Sequence, residues 1–147
     1  MFKNILIPTD GSPLSQKAAV RSVALAKSVG AKVTAFFAAP PATPVIYRNS
    51  LPVGFAQPAE HEQMLKKTAS KYLGFVENAA KKAGVRFEGA YVTNDYPADA
   101  ILDIAKKKRC DLIAMATHGQ SGLRGMLIGS VTQKVLNQSK VPVLVFR

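Results

Sequence analysis

Short apolar runs alternate along this chain with longer amphipathic stretches. Ile5-Leu6-Ile7 is an uninterrupted apolar run of the buried-strand type. Asp10-Gly11-Ser12-Pro13 punctuates it, with Ser12 suited to cap a helix and Pro13 to occupy its first turn. Ala19, Val23 and Ala26 follow at helical spacing, and Gly30 is placed to stop the helix. Val33-Thr34-Ala35-Phe36-Phe37 centres a second strand over residues 32–39. Four prolines, Pro40, Pro41, Pro44 and Pro52, predict a loop over residues 40–57.

From Pro58, Leu65, Ala69, Tyr72, Leu73, Val76 and Ala80 keep one apolar face up to Gly84, which predicts a long second helix. Val85, Phe87, Gly89 and Tyr91 alternate with other residues and predict a third strand over residues 85–92. Pro97 opens a third helix in which Ala98, Ile101, Leu102 and Ala105 hold the helical spacing. Leu112-Ile113-Ala114-Met115-Ala116 is a fourth strand, a glycine-rich segment over residues 117–129 follows, and a fourth helix starts near Ser130. Val141-Pro142-Val143-Leu144-Val145-Phe146 closes the chain as a fifth strand. Regular strand and helix alternation predicts an α/β fold, an open and mostly parallel sheet with helices on both faces.

Composition narrows the class. The 147 residues suit one domain over the whole chain, and 48% apolar against 20% charged residues describes an ordinary globular protein. A lone cysteine, Cys110, excludes a disulfide framework and a cysteine-built zinc site, and two histidines are too few for a histidine metal centre. No apolar stretch approaches the roughly 18 residues that span a bilayer. The opening apolar run meets Asp10 too early for a signal peptide, so a cytoplasmic location is expected.

Twenty Lys and Arg against nine Asp and Glu give a formal net charge of +11. A nucleic-acid surface is one reading of that excess. The positions favour solvated helix faces instead: Lys17, Arg21, Lys27, Lys66, Lys67, Lys71, Lys81 and Lys82 are spread over two predicted helices. The dense run Lys106-Lys107-Lys108-Arg109 falls at a helix end, where cations suit the dipole, and no aromatic residue interleaves with it to stack on bases.

Ligands of open parallel sheets bind beyond the carboxyl ends of the strands. The loops there are Thr9-Asp10-Gly11-Ser12, the turn at Ala38-Ala39-Pro40, and the segment holding Gly119, Gly122, Gly125 and Gly129 before Ser130. Glycines at a helix start let backbone N–H groups reach an anion, and they equally serve turns. No lysine follows Gly129, so this is not a Walker P-loop, and the dinucleotide spacing is absent. Asp10 suits a ligand or an Asp-Gly turn, and Ser130 suits a ligand or an N-cap. His118 has no nucleophile beside it and reads as a loop residue, Cys110 reads as packed, and Asp99 with Asp103 fits an acidic first turn as well as a carboxylate pair.

Ile5-Leu6-Ile7-Pro8-Thr9-Asp10-Gly11-Ser12 resembles the opening strand and loop of universal stress proteins. Asp111-Leu112-Ile113-Ala114-Met115-Ala116-Thr117-His118-Gly119, followed by Gly129-Ser130-Val131, resembles their nucleotide signature, and Pro142-Val143-Leu144-Val145 their closing strand. The likeness covers essentially the whole chain, with nothing to match over residues 40–57. It implies a Rossmann-like five-stranded sheet of order 3-2-1-4-5 and a homodimer formed through the last strand, Val141 to Phe146. ATP-binding members carry Gly, two residues, Gly, nine residues, Gly, then Ser or Thr. Gly119, Gly129 and Ser130 fit that pattern, while its first glycine is replaced here by Ala116.

The resemblance implies that Asp10 contacts a ribose, that Pro8, Thr9 and Ala38 surround adenine, and that Met115 and Ala116 lie at the strand end beneath the nucleotide. Gly119, Gly129 and Ser130 would cradle the phosphates, with Val131 and Thr132 starting the helix behind them. The expected function is a nucleotide-binding stress protein with ATP as ligand, Mg²⁺ bridging its phosphates, and absent or slow turnover. Arg124 of the glycine-rich segment is a further cation that could reach a phosphate, although nothing in the sequence places it there. The alternative is a dimeric interaction protein whose loop holds a simple anion or nothing, which Ala116 favours. No membrane or nucleic-acid partner is expected.

Overall fold

The computed structural model describes residues 1–41, 46–48, 51–53, 58–119 and 127–147. In chain order its elements are β1 (Asn4–Pro8), α1 (Pro13–Val29), β2 (Lys32–Ala39), β3 (Ile46–Arg48), β4 (Leu51–Val53), α2 (Pro58–Ala83), β5 (Phe87–Thr93), α3 (Pro97–Lys107), β6 (Leu112–Ala116), α4 (Ser130–Gln138) and β7 (Val143–Phe146). The main sheet runs β5-β2-β1-β6-β7 with every neighbouring pair parallel. Counting only its own strands, this is the expected order 3-2-1-4-5.

The apolar runs divide between two cores because successive strand side chains point to opposite faces. Ile5, Ile7, Val33, Ala35, Leu112 and Ala114 pack beneath α1 and α2. Leu6, Phe36, Ile113 and Met115 face Ile101, Ile104 and Val135 of α3 and α4. Being covered on both sides, β1 and β6 are buried at every position, which is why they read as unbroken apolar runs.

Two boundaries differ from the periodic reading. The third strand begins at Phe87 rather than Val85 because the Val85 N–H is spent on Ala80 O at 2.9 Å, closing α2 with Gly84 at φ +70°. The last strand begins at Val143. Before it, the Val141 N–H bonds the Ser139 hydroxyl at 3.2 Å, and Pro142 contributes only its carbonyl, to the Ile113 N–H at 3.0 Å. α3 ends with the hydrogen-bond pattern of α2 but places Arg109 at φ 53°, the one non-glycine with positive φ among the described residues.

The proline-rich segment is more than a loop. Ile46, Tyr47 and Arg48 pair antiparallel with Val53, Pro52 and Leu51. Both strands of such a ribbon are edges, so a proline is tolerated there, and proline density concealed two short strand-forming triplets. The rest of the expected loop, residues 42–45, 49–50 and 54–57, lies outside the described residues, as does Arg124.

The lysines and arginine expected on the faces of α1 and α2 are all exposed, and Lys106 and Lys107 form the last turn of α3. Cys110 is buried, and desolvation pushes its thiol up to about 11, which leaves it protonated and packed. Asp99 bonds Lys134 of α4 at 3.0 Å, while Asp103 is exposed. Among the described residues, no helix is long and apolar enough to cross a membrane.

Candidate functional site

The loop after β1 is held by its own side chains. The Thr9 N–H donates to Phe36 O at 2.9 Å, its hydroxyl shares a 3.3 Å hydrogen bond with Ser15, and Ser12 accepts from the Ser15 N–H at 3.2 Å to cap α1. Asp10 Oδ1 accepts from the Ser12 N–H at 3.0 Å, the Asx turn that an Asp-Gly sequence favours. Gly11 sits at φ +76° against the Tyr72 ring, so near that a Cβ would lie 2.2 Å from it. Only glycine satisfies both demands.

Asp10 Oδ2 points across the sheet toward the segment after β6. A Cβ on Gly119 would lie 2.0 Å from it, so the missing side chain of Gly119 makes room for the carboxylate. Ala116, the position where the ATP pattern has glycine, is buried and laddered with Phe146, and it has no positive φ. Its carbonyl accepts from the Thr132 hydroxyl at 2.9 Å, which pins α4 to the strand end. The Gly129 N–H donates to Thr117 O at 2.7 Å and brings the far side of the glycine-rich segment back to β6.

Ser130 is not the N-cap of α4. Gly129 takes that position, with extended backbone at φ −70° and ψ 159°, and it offers no side-chain hydrogen bond. The first-turn N–H groups therefore lack the side-chain acceptor that Ser12 gives to α1. Ser130 is exposed at the first helical position, while Thr132 is buried.

These elements enclose a cleft of about 1030 Å³ at the carboxyl end of the sheet, at the upper limit for small-molecule sites. The eleven residues that the resemblance assigns to a nucleotide all line it: Pro8, Thr9, Asp10, Ala38, Met115, Ala116, Gly119, Gly129, Ser130, Val131 and Thr132. So does His118, whose Nδ1 lies 3.1 Å from the Thr117 hydroxyl.

Sequence reasoning missed two parts of the wall, α2 and the turn from β5 into α3, where Asn94, Asp95 and Pro97 line the cleft. His61, Leu65, Thr68 and Tyr72 of α2 also line the cleft. Their spacing was legible as a helix face, but Leu65 and Tyr72 served there as core markers. Two side-chain nitrogens are shut off from water without a hydrogen-bond partner among the described residues, His61 Nε2 and His118 Nε2. Both belong to cleft-lining residues. Among the described residues, no three of His, Cys, Asp and Glu gather in a way that would hold a metal ion.

Residues 1–147 match the family model of the universal stress protein family. The chain belongs to that family. It is 37% identical to universal stress protein YxiE of Bacillus subtilis over the full length of both, and 34% identical to universal stress protein MJ0531 of Methanocaldococcus jannaschii, over all of this chain and 83% of that one. Among solved structures, a universal stress protein in complex with cAMP superposes with a TM-score of 0.72 at 26% identity, covering 99% of this chain and 97% of that one. The segments that resemble the universal stress protein signature thus line one cleft, together with residues of α2 and of the turn from β5 into α3.

Proposed function

We propose that this universal stress protein, acting as one α/β domain in the cytoplasm, binds an adenine nucleotide in the cleft, with ATP as the principal ligand. The observation that carries the reading is the division of the cleft into two chemistries. On one side Pro8, Ala38 and Met115 offer apolar surface for a base; on the other, the N-terminus of α4 opens without a side-chain cap. Unpaired N–H groups and the positive end of a helix dipole suit phosphate oxygens. The family resemblance assigns Asp10, whose Oδ1 accepts from the Ser12 N–H, to the ribose. The family relative in complex with cAMP supports the reading.

The residues fit ATP. Ala116 has extended backbone, so its substitution for glycine brings only a methyl group and no conformational penalty. Gly129 adds no side chain at the start of α4, and the space beside Gly119 holds the Asp10 carboxylate. Mg²⁺ would arrive on the phosphates and neutralise their charge. Turnover is absent or slow, because no lysine follows Gly129 at the helix start to stabilise a transferring phosphoryl group.

The reading includes a homodimer formed through the last strand, Val141 to Phe146. β7 is an edge of the sheet, and Val143, Leu144, Val145 and Phe146 are only half-buried within one chain. Val143→Lys should yield a monomer by light scattering; a variant that stays dimeric places the interface elsewhere.

Thermal unfolding with and without ATP and Mg²⁺ tests nucleotide binding. Ligand at about a hundred times its Kd adds roughly 2.7 kcal/mol and raises Tm by several degrees. No shift at millimolar nucleotide would favour the second reading, a dimeric interaction protein whose cleft holds a simple anion or nothing. The methyl of Ala116 is the observation on its side.

A further inference from the structure

We propose that His61 is a ligand-contacting residue, the imidazole that hydrogen-bonds the base end of the nucleotide. The inference rests on the nucleotide reading above and extends it to an element that none of the signature segments includes.

His61 lies in the second turn of α2, and the helix spacing puts it on one face with Leu65 and Thr68, all three lining the cleft. Its Nε2 meets neither water nor a protein partner among the described residues. A buried polar atom left unpaired is costly, and native structures seldom leave one without a reason. Thr9, Ser12, Asn4 and Thr34, buried polar residues of the same molecule, all have side-chain hydrogen bonds. The two exceptions among the described residues, His61 and His118, both line the cavity, and a turn of the His61 imidazole about its side-chain bonds opens the covered nitrogen to a ligand there and gives it the partner it lacks.

Position assigns the end of the ligand. Phosphates belong at Gly119, Gly129 and the start of α4. His61 comes from α2, whose neighbouring lining residues Met64 and Leu65 are apolar, as are Phe37 and Ala38 of β2. A planar base fits between such walls, and an imidazole nitrogen there, able to donate or accept according to its tautomer, meets a polar atom on the base edge.

Calorimetric titration of wild type, His61→Leu and His61→Gln with ATP and with adenosine tests the assignment. In His61→Leu both affinities should fall by the same factor, about fivefold, the size of one neutral hydrogen bond. His61→Gln should recover part of the loss, since an amide restores a donor and an acceptor. The ligand-free Tm of His61→Leu should hold or rise, because an unpaired buried nitrogen is gone. With only two histidines in the chain, the imidazole NMR signal absent from either variant identifies His61, and in wild type it should shift on saturation with adenosine.

Affinities within twofold of wild type together with an unshifted resonance would overturn the inference. A loss for ATP without one for adenosine would move His61 to the phosphate end and overturn the base assignment. Wild-type protein that binds neither ligand would overturn the nucleotide reading and this inference with it. Should His61→Leu fail to fold, His61→Gln and the NMR shift decide alone.

Discussion

The two ends of the sheet differ in how completely their polar groups are paired. At the end where the strands begin, polar atoms close on one another. Asp111 accepts from the Lys3 and Asn4 N–H groups at 2.8 and 3.0 Å, the Asn4 amide donates to Lys108 O at 3.0 Å, and the Thr34 hydroxyl donates to Asn4 Oδ1 at 2.9 Å. Glu88 bonds Lys108 and, at 3.5 Å, Lys32. At the end where the strands finish, Gly129 leaves α4 without a side-chain cap, and His61 and His118 each keep an unpaired buried nitrogen. The first end spends its polar groups on holding β1, β2 and β6 in place; the second spends those of Thr9, Ser12 and Thr132 on its loops and leaves two imidazole nitrogens unpaired among the described residues. The contrast separates what keeps the sheet assembled from what a ligand would use.

Substitutions at the closed end should therefore change stability and not binding, and those at the open end the reverse. The largest effect is expected for Asn4→Ala, which strips partners from the Thr34 hydroxyl and Lys108 O inside the structure. It should cost about 3 kcal/mol, read by chemical denaturation, with nucleotide affinity unchanged. A comparable loss of affinity would show that the two ends are not independent.

Gly119→Ala sharpens the other side. Its methyl would lie 2.0 Å from Asp10 Oδ2 and drive the carboxylate off its position. Nucleotide affinity should drop about tenfold, roughly 1.4 kcal/mol, with little change in Tm. Ala116→Gly is the converse test. If the methyl crowds the ribose, affinity for ATP should rise by up to about tenfold, while equal affinities by titration calorimetry would mean that the methyl touches nothing that matters.

Smaller effects return to the closed end. Arg109 at φ 53° occupies a conformation that costs a side-chain-bearing residue roughly 1–2 kcal/mol. Arg109→Gly relieves it and gives back part in unfolded-chain entropy, for a net gain of about 0.5–1 kcal/mol; an unchanged denaturation midpoint would mean that the turn carries no strain. The hydrogen bond from Lys108 chiefly lowers the Glu88 pKa, aided by its charge and by Lys32, against a smaller opposing effect of desolvation. A lowered folded pKa means stability present above the unfolded value, near 4.5, and lost as pH falls through the folded one. The stability difference between wild type and Glu88→Gln should therefore shrink on acidification below pH 4.5. The pair is partly exposed, so the difference is small throughout.

The five main strands, the four helices and the parallel sheet were legible in the chain's local pattern, while the strand order 3-2-1-4-5 came from the family resemblance. Ile5-Leu6-Ile7 needs no partner to be read as a strand covered on both faces, and Gly30 and Gly84 stop helices by their own conformational freedom. The candidate residues were legible too, because the signature sits in contiguous stretches at three strand ends. Local reading failed where a residue answers to a distant one. Val85 reads as strand until its N–H is claimed by Ala80, and Ser130 reads as a cap until Gly129 is drawn to Thr117 O and takes the position. The Ile46–Arg48 and Leu51–Val53 ribbon was hidden because proline marks a loop unless an antiparallel neighbour makes it an edge.

Periodicity, glycine stops and the signature segments thus carry the architecture and the location of the cleft in the order of residues alone. They do not carry the meeting of Asp10 with Gly119 across two strands, the α2 face and β5–α3 turn that form the rest of the wall, or the covered histidine nitrogens among its residues. Those depend on atoms from segments dozens of residues apart coming within a few ångströms. A one-dimensional pattern reports the face a side chain occupies; only the packed molecule decides what stands opposite it.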